Sequence, residues 1–165
     1  MIDKFKQYGF IEQEIIDEKT LVAFQSIKVF AKKVDEQTLL LFNGGGGFSL
    51  YLQDRFFNFT IDVESKAVSS FEGDIIESKI KTKKLQLPNT IKNALLILNT
   101  DDNLVAGTGS YIEFNSDNIC YDKNKGLLQI GNIDVNKEVI HFLGNGFAQI
   151  QGGRLAGLFF SDIEL

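Results

Sequence analysis

Few residues in this chain combine the type and spacing that chemistry requires. There is one histidine, His141, and one cysteine, Cys120. His141 falls in an alternating segment that should place Val139 and Leu143 on its own face. A general base or metal ligand needs partners, and no neighbour in sequence supplies them. A structural, half-exposed histidine is the simpler reading, and only a distant carboxylate brought close by the fold would favour a hydrolase. Cys120, between Ile119 and Tyr121, reads as a core residue. One histidine and one cysteine do not make a zinc site without carboxylates.

Acid pairs occur at Asp17-Glu18, Asp35-Glu36 and Asp101-Asp102. Two carboxylates suffice for glycoside hydrolysis, but each pair sits where a turn is expected, and solvation of a turn explains them. The run Gly44-Gly45-Gly46-Gly47 is followed by Phe48-Ser49-Leu50-Tyr51. It lacks the Lys-Ser/Thr and helix of a phosphate-binding loop, so it reads as a hairpin loop. Gly107-Thr108-Gly109 lacks the third glycine of a dinucleotide fingerprint and opens a strand. Asn58-Phe59-Thr60 matches a glycosylation sequon, discounted without a secretory signal. Among aromatic side chains, Tyr8, Tyr51, Tyr111 and Tyr121 offer rings for stacking. No catalytic, cofactor-binding or metal-binding residue is assigned. The candidate contacts for a ligand or partner are Tyr51, Tyr111 and His141.

Composition narrows the function classes. A chain of 165 residues fits one domain, here 1–165, and is large enough to fold on a hydrophobic core without metal or disulfide. With 15 Phe, no Trp and one Pro, rings fill the core and nearly every strand residue keeps its N–H. The lone cysteine excludes an intrachain disulfide and points to a reducing compartment. Residues 1–6 lack the form of a signal peptide, and apolar runs such as 39–42 and 94–98 are far shorter than the roughly 20 residues of a membrane span. A cytoplasmic location is expected. The net charge of −5 disfavours nucleic acid and suits a basic protein partner.

The elements that must position these residues are mostly strands. From Thr38 onward, period-2 alternation and turn signals recur at sandwich-like spacing: 38–43, 48–53, 56–63, 67–72, 75–86, 94–99, 110–114, 119–121, 127–130, 139–143, 147–151 and 154–160. Gly152-Gly153 reads as a two-residue hairpin turn, and Gly126 as the left-handed residue closing a turn before 127–130. Segment 75–86 is read as a strand with a lysine face, and 88–90 as a single helical turn. Residues 1–37 are less legible and partly helical: 2–8 as a short helix ending at Gly9, and 21–32 as a bulged strand. The expected fold is mainly β, an antiparallel sandwich or partly open barrel of about 10–12 short strands.

Three functions are compatible with these features. The leading one is a non-enzymatic domain that binds another protein, for instance a bacterial immunity-type protein neutralising a basic toxin. The second is a sandwich or barrel binding a small ligand or carbohydrate, which requires a pocket. The third is a hydrolase built on His141 or on scattered carboxylates.

Overall fold

The computed structural model describes residues 8–35, 37–41, 47–53 and 57–165. In chain order the elements are β1 (Gly9–Glu14), α1 (Glu18–Ser26), β2 (Phe30–Val34), β3 (Gln37–Leu41), β4 (Phe48–Leu52), β5 (Phe57–Ile61), β6 (Val68–Ile76), β7 (Lys81–Thr82), β8 (Ile91–Asn99), β9 (Gly109–Ile112), β10 (Ile119–Asp122), β11 (Leu127–Gly131), β12 (Val139–Leu143), β13 (Gly146–Gln151) and β14 (Arg154–Phe160). They form an eight-stranded sheet, β1-β8-β12-β13-β14-β11-β10-β7, and a six-stranded sheet, β2-β3-β6-β5-β4-β9. The architecture is an open β-sandwich. It is not purely antiparallel: β8 with β12, β7 with β10, and β4 with β9 run parallel.

The alternation in the sequence resolves into faces. Phe57, Phe59 and Ile61 of β5 are buried between the sheets with Leu50, Phe71 and Ile75, against Leu96, Leu128, Ile140, Phe142, Leu158 and Phe160 of the larger sheet. Phe59 meets Phe10, Phe71 and Phe142 edge to face at centroid distances of 6.1, 5.7 and 5.8 Å. Phe71 in turn stacks on Phe160 at 4.8 Å. Such ring pairs add roughly 0.5–1.5 kcal/mol each beyond the area they bury. The β13–β14 hairpin turns on Gly152 and Gly153 with φ of +59° and +76°, and Gly126 at +64° closes the β10–β11 turn.

Four expectations are corrected. Residues 21–32 are not a bulged strand: α1 occupies Glu18–Ser26 and the chain becomes extended at Phe30. Asp17 decides this by capping the helix, accepting from the Thr20 and Lys19 amides at 3.2 and 3.4 Å. Gly9 is not a left-handed cap but begins β1, where a Cβ would come 2.8 Å from the Gly153 carbonyl oxygen. Residues 2–7, and the loop 42–46 within the glycine run, lie outside the described residues. No helical turn forms at 88–90. Finally, 75–86 is not one strand: β6 ends at Ile76, a 3-10 turn covers Glu77–Lys79, and β7 is only Lys81–Thr82.

The path of the chain beyond β7 accounts for this last difference. β7 and β8 lie six strand positions apart in the large sheet, a span of about 29 Å at about 4.8 Å per strand. Residues 83–90 can cover it only when nearly fully extended, at about 3.3–3.6 Å per residue. They form a strap across the outer face of the sheet. Leu85 and Leu87 seal a second apolar layer with Cys120, Leu127, Val139, Phe147 and Phe159. Alternation is real here, but it marks a strap lying on a sheet rather than a strand within one. Pro88, buried in the strap, has no N–H to satisfy. Segment 132–138 crosses the same face as a second strap. It passes over Gly157, where a Cβ would lie 2.5 Å from the Asn132 carbonyl oxygen.

Side chains anchor the first strap. Asp122, 4 % exposed, accepts from the Leu85 amide at 2.9 Å and from the Asn124 and Lys125 amides at 3.1 and 3.3 Å. Lys125 Nζ donates to the Leu85 carbonyl at 2.8 Å. The Leu85 amide, aided by those of Lys125 and Asn124, holds the Asp122 carboxyl below its ordinary value against the opposing effect of burial. A folded-state pKa below the unfolded one gives stability that is present above the unfolded value near 4 and lost as pH falls through the folded value. We expect Asp122→Asn to be destabilised relative to the wild type at pH 6, with the gap in urea midpoint closing as pH falls toward 2. A gap independent of pH would refute this role for the carboxylate.

Candidate functional site

The structure brings two of the three candidate contacts together. Tyr51 of β4 and Tyr111 of β9 are register partners on adjacent parallel strands, and their rings stack at 5.0 Å and 28°. Phe48, Leu50 and Leu52 alternate with Tyr51 and point into the core, so the tyrosine pair stands on the opposite face of the smaller sheet. The row continues through Asn58, register partner of Tyr51, whose Nδ2 donates to Glu72 at 3.2 Å. Among the described residues, the buried Asn58 Oδ1 has no hydrogen-bond partner.

His141 sits elsewhere, on the strap side of the large sheet. Its ring stacks on Phe147 at 4.6 Å. Nδ1 lies 2.9 Å from Asn93 Oδ1 and Nε2 lies 2.9 Å from the Gly144 carbonyl oxygen. Neither of these partners is a carboxylate. A register shift between His141 and Leu143 turns Leu143 into the inner core, so Val139 shares the histidine's face and Leu143 does not. Tyr121, one of the four rings considered for stacking, is buried and donates its hydroxyl to the Ile163 carbonyl at 2.9 Å. Cys120 is buried in the outer apolar layer. Among the described residues no group of three or more His, Cys, Asp or Glu side chains is placed to hold a metal.

The space lined by Phe57, Ile75 and Ile119 holds only about 20 Å³. Larger clefts lie at the surface, and one adjoins a feature that the sequence did not reveal, the edge formed by β1.

β1 ends the large sheet. Its partner on one side is β8, with Phe10 opposite Leu98, Glu12 opposite Leu96 and Glu14 opposite Ala94. The Phe10 amide donates away from β8, to the Gly153 carbonyl oxygen at 2.7 Å. Amides alternate direction along an antiparallel strand, so Glu12 and Glu14 also turn their N–H and C=O groups outward, and there no described strand meets them. Beyond the Phe10–Gly153 bond a groove of about 480 Å³ opens, with Phe10, Ile140 and Ile150 as apolar lining and Glu12, Lys137 and Glu138 as charged lining. Ile11 and Ile16 are 51 % and 89 % exposed.

The electrostatics of this edge are acidic. Lys92 Nζ donates to Glu12 at 2.7 Å. That bond, together with the charges of Glu12, Glu138 and Glu14, raises the Lys92 pKa above its ordinary value. Glu12, Glu14 and Glu138 therefore outnumber Lys92 and Lys137 by one charge, leaving a small negative balance beside exposed isoleucines and backbone groups that no described strand pairs. By contrast, the opposite end of the sheet, at β7, carries Lys79, Lys81, Lys83 and Lys84 in succession, an arrangement that discourages pairing of edges.

In comparisons with known proteins, no family model, curated protein or solved structure matches this chain. Among the described residues, no helix is long and apolar enough to cross a membrane.

Proposed function

We propose that this chain is a non-enzymatic binding domain whose partner is a basic protein, docked on the acidic edge at β1. The observation that carries this reading is the coincidence of Glu12, Glu14 and Glu138 with exposed Ile11 and Ile16 around backbone groups that no described strand pairs. Charge complementarity raises association rates and rejects like-charged partners, while the isoleucines supply area for affinity. In its most concrete form the chain is an immunity-type protein of the bacterial cytoplasm that neutralises a basic toxin. A second reading, a sugar-binding surface, is favoured only by the stacked Tyr51–Tyr111 pair on the face of the small sheet.

Co-expression with the products of neighbouring genes tests the leading reading. The expected outcome is a stable complex with a basic protein. Its association rate should fall about tenfold or more at low salt when Glu12 and Glu138 are both changed to Lys. If no basic protein co-purifies, or if the complex is indifferent to that double reversal, the reading is overturned.

A further inference from the structure

We infer that β1 accepts an additional strand, an extended basic segment of the partner that pairs with the Glu12 and Glu14 backbone and lies along the adjoining groove. This rests on the reading above and deepens it, since acidic docking alone requires no backbone pairing. Of the four sheet ends, β1 combines outward-turned amides, a groove beside them and matching charge. The other end of its sheet is lined with lysines, and β2 carries Lys32 and Lys33. Strand addition draws affinity from main-chain hydrogen bonds and specificity from alternate side-chain contacts. Here those contacts are defined. A lysine or arginine from the segment would lay its methylene stem on Ile140 and Ile150 and bring its charge to Glu12 and Glu138, which outweigh the opposing charge of Lys137 on the same groove. Lys92, already bonded to Glu12, holds the carboxylate in place and would share it with the incoming cation.

The occupant is an extended peptide segment rather than a folded basic surface, because the groove is bounded at one end. The Phe10–Gly153 hydrogen bond ties the β13–β14 turn to β1 there. Pairing is therefore confined to the Glu12–Glu14 stretch, and the segment presents alternating basic and apolar residues: basic toward Glu12, apolar toward Ile11 on the other face of β1.

The test uses the whole chain and an eleven-residue peptide of alternating lysine and valine, N-methylated at every second residue so that only one edge can pair. At low salt it should bind and slow hydrogen exchange at the Glu12 and Glu14 amides. A twin methylated at every residue should bind at least about tenfold more weakly, the loss expected for one or two hydrogen bonds. Two variants separate charge from backbone. Glu14→Gln removes only the carboxylate and should weaken binding a few-fold, whereas Glu14→Pro also removes the outward N–H and should weaken it about tenfold further. A proline there spares the bonds to β8, and the peptide comparison stands even if that variant fails to fold.

Equal binding of the two peptides, or unchanged exchange at Glu12 and Glu14, overturns strand addition while leaving a partner found by co-expression intact. Failure of every lysine peptide to bind at low salt also overturns it.

Discussion

Replacing Asn145 with alanine is expected to cost about 3–4 kcal/mol of folding stability, the largest loss for any single polar side chain among the described residues. Asn145 is 2 % exposed and sits in the β12–β13 turn. Its side-chain amide copies a strand neighbour. Oδ1 accepts from the Val29 amide at 2.7 Å, and Nδ2 donates back to the Val29 carbonyl at 2.7 Å and to the Ser161 carbonyl at 2.8 Å. Val29 is itself buried, so truncation would strand both of its backbone groups away from water, each at about 1–3 kcal/mol. The effect also reaches beyond the turn, because residues 27–29 link α1 to β2 and so join the helix and the small sheet to the large one. Asn145→Asp should be at least as damaging at neutral pH, since an oxygen would then face the two carbonyls. Urea denaturation of both variants checks this. A loss below about 1 kcal/mol for the alanine variant would mean that water replaces the clasp.

The parts of this fold that can be read from sequence are those decided locally. Gly152-Gly153 fixes its own turn because both residues take positive φ. Phe57, Phe59 and Ile61 advertise their face because a single buried layer imposes period 2. Helix α1 is legible in principle: Asp17 three residues before Thr20 is a capping pattern, but the surrounding apolar residues satisfy neither period and mask it. The strap over 83–90 is not legible, since an extended segment on a sheet and one inside it alternate alike. The Asp122 side chain separates the two cases, through a contact 37 residues away in sequence.

The candidate site is harder still. In the sequence Tyr51 and Tyr111 are separate rings, and only the parallel pairing of β4 with β9 makes them neighbours. The β1 edge escapes a sequence reading for a physical reason. Glu12 and Glu14 share the inward face with Phe10, but among the described residues both are exposed, so two carboxylates occupy positions that elsewhere in the core are apolar. This edge is thus written as broken alternation, which in a single sequence cannot be told from a loop.

The second large effect is expected at Gln149, and for one substitution its size should depend on pH. Gln149 is fully buried beneath the strap of residues 132–138. Its Oε1 accepts from the Asp134 amide at 2.7 Å and from Gln151 Nε2 at 3.1 Å, while its own Nε2 donates to the Asp134 carbonyl at 2.8 Å. The carbonyls of Lys137 and Glu138 stand 3.4 and 3.5 Å from the same nitrogen, so that side of the site consists of acceptors. Gln149→Leu loses the whole clasp and should cost about 2 kcal/mol at every pH, less than Asn145→Ala because Asp134 is only half-buried and water can reach it. Gln149→Glu behaves differently. A protonated carboxyl can still donate to the Asp134 carbonyl, whereas an ionised one would point bare charge at three carbonyl oxygens in a buried site. Burial and acceptor neighbours both raise the folded-state pKa above the unfolded value of about 4.3. Stability is then retained below the unfolded pKa and lost as pH rises through the folded one. The variant should match the wild type to within about 1 kcal/mol at pH 4 and fall about 2–4 kcal/mol below it at pH 7. Denaturation midpoints of wild type, Gln149→Leu and Gln149→Glu at the two pH values decide the matter. If the leucine and glutamate variants show the same pH dependence, then the strap is held by the apolar contacts of Ile133 in the outer layer and not by this amide.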